Sequence, residues 1–276
     1  MGDVNRGFFI TGTDTGVGKT VFTCLLARSV AFFSEKGRSF AEQKTTLARV
    51  AAYKPACSGA EYREGEAPAE PRATDDAHDG NRLGGRLALP MPTWPDVESL
   101  HAATNAAFPC ERICPQTFLA PLSPPAAAAL EGREVDEALL LSGYYWLAER
   151  AEMVLVEGAG GFYSPISKHW LNADLAERIG LPVIIVAPNR LGTINQTLLT
   201  IEAVRQRGLT VAGVVLNRLS ESDDPSTATN AAEIQQRGRV RVWGEIPFSP
   251  RPELQPSRLP ESMACELRRF GTKVDG

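Results

Sequence analysis

The sequence predicts an α/β fold in which a parallel sheet is covered by helices on both faces. Short apolar runs, bounded by glycine or proline, alternate along the chain with amphipathic stretches of helical period. Unusual polar residues follow the ends of these apolar runs. Because right-handed crossovers bring the carboxyl ends of parallel strands to one edge, we expect the ligand to bind there.

The elements follow from periodicity and from local start and stop signals. Pro55 stops the second apolar run, and Gly208 ends the helix before the fifth. The predicted strands are residues 7–11, 50–53, 153–156, 181–186, 209–216 and 240–246. The predicted helices are residues 19–33, 124–130, 135–151, 193–207 and 231–237, with another near 261–270.

Composition narrows the class of protein. The chain has 276 residues, a net charge of −4 and 43% hydrophobic residues, which suits one large domain over residues 1–276. We expect no nucleic-acid partner, because there is no basic excess, and no membrane span or signal peptide. Five scattered cysteines indicate reduced thiols in the cytoplasm rather than a disulfide framework.

The segment from about residue 61 to 95 differs in texture from the rest. It is rich in proline, glycine and charged residues, and it lacks apolar periodicity. We expect a surface insertion that builds no core of its own.

The strongest chemical signal is a phosphate-binding loop between the first strand and the first helix. It reads Gly-Thr-Asp-Thr-Gly-Val-Gly-Lys-Thr over residues 12–20. Gly16 and Gly18 let backbone N–H groups close around phosphate oxygens, Lys19 reaches the β- and γ-phosphates, and the Thr20 hydroxyl can bind Mg²⁺. The first glycine stands at Gly12, one position earlier than usual. The motif predicts a P-loop NTPase-like fold that binds Mg-ATP.

Other strand ends carry residues suited to the same ligand. Glu157 follows an apolar strand, and a carboxylate there can meet the metal bound at Thr20. The glycines after Glu157 allow close backbone approach to a ligand. Asn217 ends another strand, and its amide can both donate and accept hydrogen bonds.

Blocks spread over residues 7–247 resemble the dethiobiotin synthase family. They are the phosphate loop, Tyr53-Lys54-Pro55 with Ser58-Gly59, Thr117-Phe118 with Pro121 and Ser123-Pro124, residues 154–161, 181–183 and 191–195, Leu209-Thr210 to Asn217, and residues 244–247. The blocks occur in the family's order, and together they are specific.

The resemblance implies an ATP-dependent ligase that closes a ureido ring on 7,8-diaminopelargonate with CO₂. An amine takes up CO₂ as a carbamate, and a carbamate oxygen attacks the γ-phosphate. The second amine then attacks the mixed anhydride, which releases phosphate and dethiobiotin. All the species at the centre are anions, so catalysis is expected to be mostly positioning and charge neutralisation.

The resemblance also assigns residues. Lys54 and Lys19 would be catalytic, and Thr20, Asp96 and Glu157 would hold Mg²⁺. The nucleotide would contact Gly16, Val17, Gly18, Lys19, Thr20, Val21, Glu157, Gly158, Ala159, Gly160, Asn217, Pro247, Phe248, Ser249 and Glu253. The substrate would contact Thr15, Ser58, Pro121 and Gly161, with Gly192, Thr193, Ile194 and Asn195 supplied by the neighbouring subunit of a homodimer.

The aspartate that completes the metal site has two candidates. Asp96 keeps the expected spacing to Pro115 and leaves the polar segment as the insertion, whereas Thr74-Asp75 matches the local pattern nearer to Ser58. We favour Asp96, which we expect to precede and cap a helix.

Two other functions stay open at this stage. A partitioning or switch ATPase resembles this fold, but such proteins usually carry a lysine at the position of Asp14 and basic or amphipathic surfaces. An amide-forming ligase of cobalamin synthesis is also similar, although those enzymes usually add a glutaminase domain.

Overall fold

The computed structural model describes residues 7–36, 50–63, 91–221, 224–250 and 259–266. The strands are β1 (Gly7–Gly12), β2 (Val50–Tyr53), β3 (Cys57–Ser58), β4 (Glu61–Arg63), β5 (Met91–Thr93), β6 (Thr117–Phe118), β7 (Met153–Gly161), β8 (Val183–Pro188), β9 (Val211–Asn217) and β10 (Val242–Ile246). The helices are α1 (Lys19–Lys36), α2 (Pro95–Ala103), α3 (Cys110–Ile113), α4 (Pro124–Leu130), α5 (Glu137–Ala148), α6 (Asn172–Ile179), α7 (Thr193–Gln206) and α8 (Thr227–Gly238), and residues 261–266 are also helical.

Six strands form a parallel sheet in the order β10-β9-β8-β1-β7-β2. β1 lies in the middle, with Phe9 opposite Val156 of β7 and Val183 of β8. Phe9 and Ile10 are completely buried, as expected for strands covered on both faces. The predicted parallel sheet is confirmed.

The strand order determines where the helices lie. The chain moves from β1 to β2 in one direction along the sheet, and from β7 through β8 and β9 to β10 in the other. Since such crossovers are right-handed, α1 covers one face and α6 to α8 cover the opposite face. Helix α1 packs on α2, α5 on α6, and α7 on α8. The direction reverses beside β1, which is where such sheets bind ligands.

Two small strand pairs were not predicted from the sequence. β3 pairs with β6 in parallel, with Cys57 opposite Thr117, and β4 pairs with β5 antiparallel, with Tyr62 opposite Pro92. The second pair joins the two flanks of the expected insertion, so its borders at 61–63 and 91–93 are strands. Residues 64–90 lie outside the described part of the chain, and the insertion itself stays a prediction.

Several element bounds differ from the expected ones for local reasons. α5 begins after Asp136, whose carboxylate accepts a hydrogen bond from the Leu139 N–H at 3.0 Å, and so starts later than predicted. β7 continues to Gly161, because Gly161 pairs with Gly12 across a bulge. Helix α6 was not predicted.

Within the described residues, no helix has the length and apolar character needed to span a membrane.

Candidate active site

The phosphate loop joins the buried end of β1 to the start of α1. Gly16 and Gly18 have φ of +72° and +92°, a backbone conformation that glycine adopts without strain. A Cβ on Gly12 would lie 2.7 Å from the Asp14 carbonyl oxygen, which explains why a glycine stands at this position. The Lys19 Nζ donates to the same carbonyl at 3.0 Å. Burial, partly offset by the Glu157 carboxylate, lowers the pKa of Lys19.

Glu157 lies at the centre of the site. Its side chain is completely buried in β7, next to β1. Oε1 accepts hydrogen bonds from the Thr20 Oγ1 at 2.7 Å and the Lys54 Nζ at 2.8 Å. Oε2 is buried and has no hydrogen-bond partner among the described residues. A buried carboxylate oxygen without a partner is costly unless a cation or donor satisfies it, so this oxygen is suited to bind a metal ion.

Lys54 follows β2 and bridges two carboxylates. Its Nζ pairs with the Glu157 Oε1 and with the Asp96 Oδ2. The side chains of Lys54 and Glu157 are 7% and 1% exposed, whereas that of Asp96 is 47% exposed. Burial opposes the charge on Lys54, but Glu157 and Asp96 outweigh burial and raise the pKa of Lys54. Lys54 is therefore a permanent, buried positive charge.

Asp96 does reach the Lys54 ammonium, but its place in the helix differs from the prediction. Helix α2 begins at Pro95, its N-cap is Trp94, and no side chain caps it. The expectation that Asp96 precedes and caps the helix is wrong, because proline favours the first helical position and moves Asp96 into the first turn. Burial would raise the pKa of Asp96, yet the charge and hydrogen bond of Lys54 lower it. Asp75 lies outside the described residues.

These groups open onto one cavity of about 290 Å³. It is lined by Thr15, Gly16, Gly18, Lys19, Thr20, Val21, Lys54, Ala56, Cys57, Ser58, Asp96, Glu157, Gly158, Ala159 and Gly160. The structure therefore brings most of the predicted site residues together. Ala56 and Cys57 had no predicted role.

The predicted substrate residues divide into two groups. Ser58 lines the cavity, and its Oγ donates to the Leu122 carbonyl at 2.5 Å, one residue beyond Pro121. Pro121 and Gly161 do not line this cavity. Residues 192–195, at the start of α7, do not line it either, and the neighbouring Leu191 is 80% exposed.

The predicted base-binding residues lie at the adjacent strand ends. Asn217 ends β9, and its Nδ2 donates to the Val17 carbonyl at 3.0 Å, which fixes Asn217 against the phosphate loop. Ile246 pairs with Asn217, so residues 247–249 follow β10 at the same edge of the sheet. Neither group lines the cavity around Lys54. Glu253 lies outside the described residues.

Known proteins resemble this chain in sequence. A family model described as an AAA domain matches residues 95–256. The ATP-dependent dethiobiotin synthetase of Anaeromyxobacter dehalogenans is 41% identical over 245 residues, which cover 89% of this chain and 91% of that protein. The chain belongs to the ATP-dependent dethiobiotin synthetase family. The family's protein from Bacillus subtilis is 33% identical, over 88% of this chain and 87% of its own.

Membership of the dethiobiotin synthetase family confirms the resemblance stated from the sequence and the expectation of an ATP-dependent ligase. Among solved structures, the Pyrococcus furiosus cell division ATPase MinD is similar with a TM-score of 0.46 and 16% identity, over 97% of this chain and 100% of that one. A similarity at this level says nothing about function.

Asn172, which holds in place the glycine segment, residues 158–161, was not identified from the sequence. Asn172 is completely buried at the start of α6. Its Nδ2 lies 2.7, 3.3 and 2.9 Å from the carbonyl oxygens of Ala159, Gly161 and Ser164, and its Oδ1 accepts from the Ala159 N–H at 3.0 Å. No motif signals this role, because Asn172 bonds to backbone atoms of the preceding loop and not to side chains at a fixed spacing.

We expect Asn172→Ala to lower both stability and turnover. The change leaves buried backbone groups of the glycine segment without partners, which costs about 1–3 kcal/mol. Since Gly158 and Ala159 line the cavity, loosening them should also weaken ligand binding. Urea unfolding and steady-state kinetics measure the two effects.

Thr104→Val is the matched control for Asn172→Ala. Thr104 is buried at the end of α2, away from the cavity, and its Oγ1 donates to the Leu100 carbonyl at 2.9 Å. The control should lose stability without losing turnover. An unchanged unfolding midpoint in Asn172→Ala would show that the asparagine does not hold the segment.

Proposed function

We propose that this protein converts 7,8-diaminopelargonate, CO₂ and ATP into dethiobiotin, ADP and phosphate. The observation that supports this most strongly is the buried charge of Lys54 in the same cavity as the phosphate loop. A pure ATPase has no need of a second buried lysine beside the one in its loop. A ligase that must hold a carbamate anion next to a triphosphate does need one.

The two lysines suit two different anions. Lys19 stands at the start of α1 within the loop, where it can neutralise the phosphates together with the helix N-terminus. Lys54 pairs with Glu157 in the same cavity, where it can hold a carbamate oxygen close to the γ-phosphate. Because Lys54 keeps its proton, it orients the carbamate and stabilises its charge without acting as a base.

The residues present fit a magnesium ion. Thr20, Asp96 and Glu157 offer one hydroxyl and two carboxylates around the cavity, and the buried Glu157 Oε2 has no partner among the described residues. The described residues hold no group of three His, Cys, Asp or Glu side chains for a metal. That agrees with magnesium, which takes few protein ligands and completes its shell with water and phosphate. When bound, Mg²⁺ would neutralise charge on the phosphates.

The diamine would bind on the Ser58 side of the cavity, with Thr15, Pro121 and Gly161 around it. Residues 192–195 would serve the site of a second copy, in a homodimer. Two facts support this arrangement: these residues do not line the cavity of their own chain, and Leu191 beside them is largely exposed. The N–H groups at the start of α7 suit the carboxylate of the substrate.

The adenine would bind at the ends of β9 and β10, between Asn217 and residues 247–249 with Glu253. Asn217 uses one amide hydrogen on the Val17 carbonyl and keeps its carbonyl oxygen for a base edge.

The five cysteines are all free thiols, which supports a reducing, cytoplasmic location.

The test is to mix the purified protein with Mg-ATP, bicarbonate and 7,8-diaminopelargonate, and to follow phosphate release and dethiobiotin by mass spectrometry. Phosphate release that depends on the diamine and matches the product supports the proposal. If ATP is hydrolysed at the same rate without the diamine and no product forms, the ligase function is wrong, and a switch ATPase becomes the better description.

The choice between the two aspartates gives a separate prediction. We expect Asp96→Ala to raise the Mg²⁺ concentration needed for half-maximal turnover by about tenfold or more, because a carboxylate beside the phosphates is lost. Asp75→Ala should behave like the parent protein. Magnesium titrations of turnover for both variants measure this. If only Asp75→Ala loses magnesium-dependent turnover, the assignment of Asp96 is wrong.

A further inference from the structure

Two cysteines meet beneath the candidate active site. Cys57 lines the cavity three residues after Lys54, and Cys114 lies behind it without lining the cavity. They are 6% and 4% exposed. The proposed ligase reaction uses neither thiol.

The backbone holds the two cysteines against each other. The Lys54 N–H donates to the Ile113 carbonyl at 2.8 Å, and the Cys57 N–H donates to the Gln116 carbonyl at 2.9 Å. The segments 54–57 and 113–116 therefore run side by side, continued by the β3–β6 pair. The Cys114 Sγ lies 3.4 Å from the Gln116 carbonyl oxygen, and the Cys57 N–H donates to the same oxygen, so the two cysteines are neighbours across the two segments.

The two thiols differ in electrostatic environment. The neighbouring Cys114 thiol is the largest cause that lowers the pKa of Cys57, and the Lys54 charge adds to it against the effect of burial. Burial is the largest cause that raises the pKa of Cys114. Cys57 and Lys54 line the cavity, whereas Cys114 does not, so Cys57 is the thiol that an oxidant in the cavity reaches first.

We propose that Cys57 is a peroxide-reactive modification site in the wall of the active-site cavity, and that Cys114 closes a reversible disulfide with it. The Cys57 sulfur attacks a peroxide oxygen and breaks the O–O bond, which gives a sulfenic acid and water when the oxidant is hydrogen peroxide. The Cys114 sulfur then attacks the Cys57 sulfur and displaces a second water. The two thiols are thus oxidised to one disulfide, and one hydrogen peroxide is reduced to two waters.

The disulfide would disturb the candidate active site. Its effect on turnover rests on the proposed function. A disulfide fixes the distance and angles between two cysteines more strictly than two free thiols require, so we expect the segments 54–57 and 113–116 to adjust when it closes. The segment with Cys57 also carries Lys54 and Ser58, both of which line the cavity. Closing the bond therefore shifts the lysine proposed to hold the carbamate.

The test treats the reduced full-length protein with hydrogen peroxide, blocks the remaining thiols with iodoacetamide and maps the peptides by mass spectrometry. We expect a linked peptide pair that contains Cys57 and Cys114, with turnover about tenfold lower and restored by dithiothreitol. In Cys114→Ala, dimedone should trap a sulfenic acid on Cys57, and no linked pair should form.

Cys110→Ala is the matched control. Cys110 is the more exposed of the neighbouring cysteines, and it should not affect the linked pair. If Cys110 or Cys265 is oxidised before Cys57, or if no Cys57–Cys114 link forms, the inference is wrong. The peptide map needs no turnover. A link that forms in a protein that makes no dethiobiotin, even when reduced, would therefore support the inference and contradict the proposed function.

Discussion

Replacing Lys54 with methionine is expected to lower dethiobiotin formation by about 10³ or more, because the preorganised charge that stabilises the developing anion is lost. Methionine has a similar length and no charge, so the change removes electrostatics more than packing. The Lys54 side chain is only 7% exposed, so water and solvent cations have little access to replace its charge. Steady-state kinetics with all three substrates measure the loss.

Lys168→Met is the matched control for Lys54→Met. Lys168 is 62% exposed and pairs with Glu134 at the surface, so its loss should leave turnover unchanged. We expect the Lys54→Met variant to keep its binding of Mg-ATP, because Lys19 and the phosphate loop are unchanged. Turnover within a factor of about three of the parent protein would contradict the role given to Lys54.

Replacing Glu157 with glutamine should have the second largest effect. Glutamine keeps the shape of the side chain but removes the charge that faces Thr20 and Lys54. We expect turnover to fall by about a hundredfold and the Mg²⁺ requirement to rise, because a buried carboxylate oxygen suited to the metal becomes a neutral amide. Magnesium titrations of ATP binding and of turnover measure both changes.

Glu134→Gln serves as the control for Glu157→Gln. Glu134 is 73% exposed and lies in a surface ion pair, so its loss should change neither magnesium dependence nor turnover. Thermal unfolding of the two variants separates a loss of fold from a loss of function. If Glu157→Gln keeps the parent's magnesium dependence, the metal does not bind at Glu157.

Much of the fold and part of the site could be predicted from local patterns. The apolar runs of the six sheet strands and the Gly-Lys-Thr of the phosphate loop are local features, because a buried strand and a strand-to-helix turn each need particular neighbours in sequence. Lys54 and Glu157 were found for the same reason: each directly follows a run of apolar strand residues, although β7 itself continues beyond Glu157 to Gly161. The short pairs β3–β6 and β4–β5 were missed, since two or three residues carry no periodicity.

The sequence by itself determined the alternation of strands and helices, the phosphate loop and the strand-end residues, because these depend on side-chain period and on glycine, proline and charge at fixed spacing. Only the tertiary structure decided which distant groups meet. It brought Asp96 from the first turn of α2 to the Lys54 ammonium, Asn172 to the glycine segment, and Cys114 beside Cys57. Such meetings depend on how the helices pack across the sheet, and that packing has no local signature in the chain.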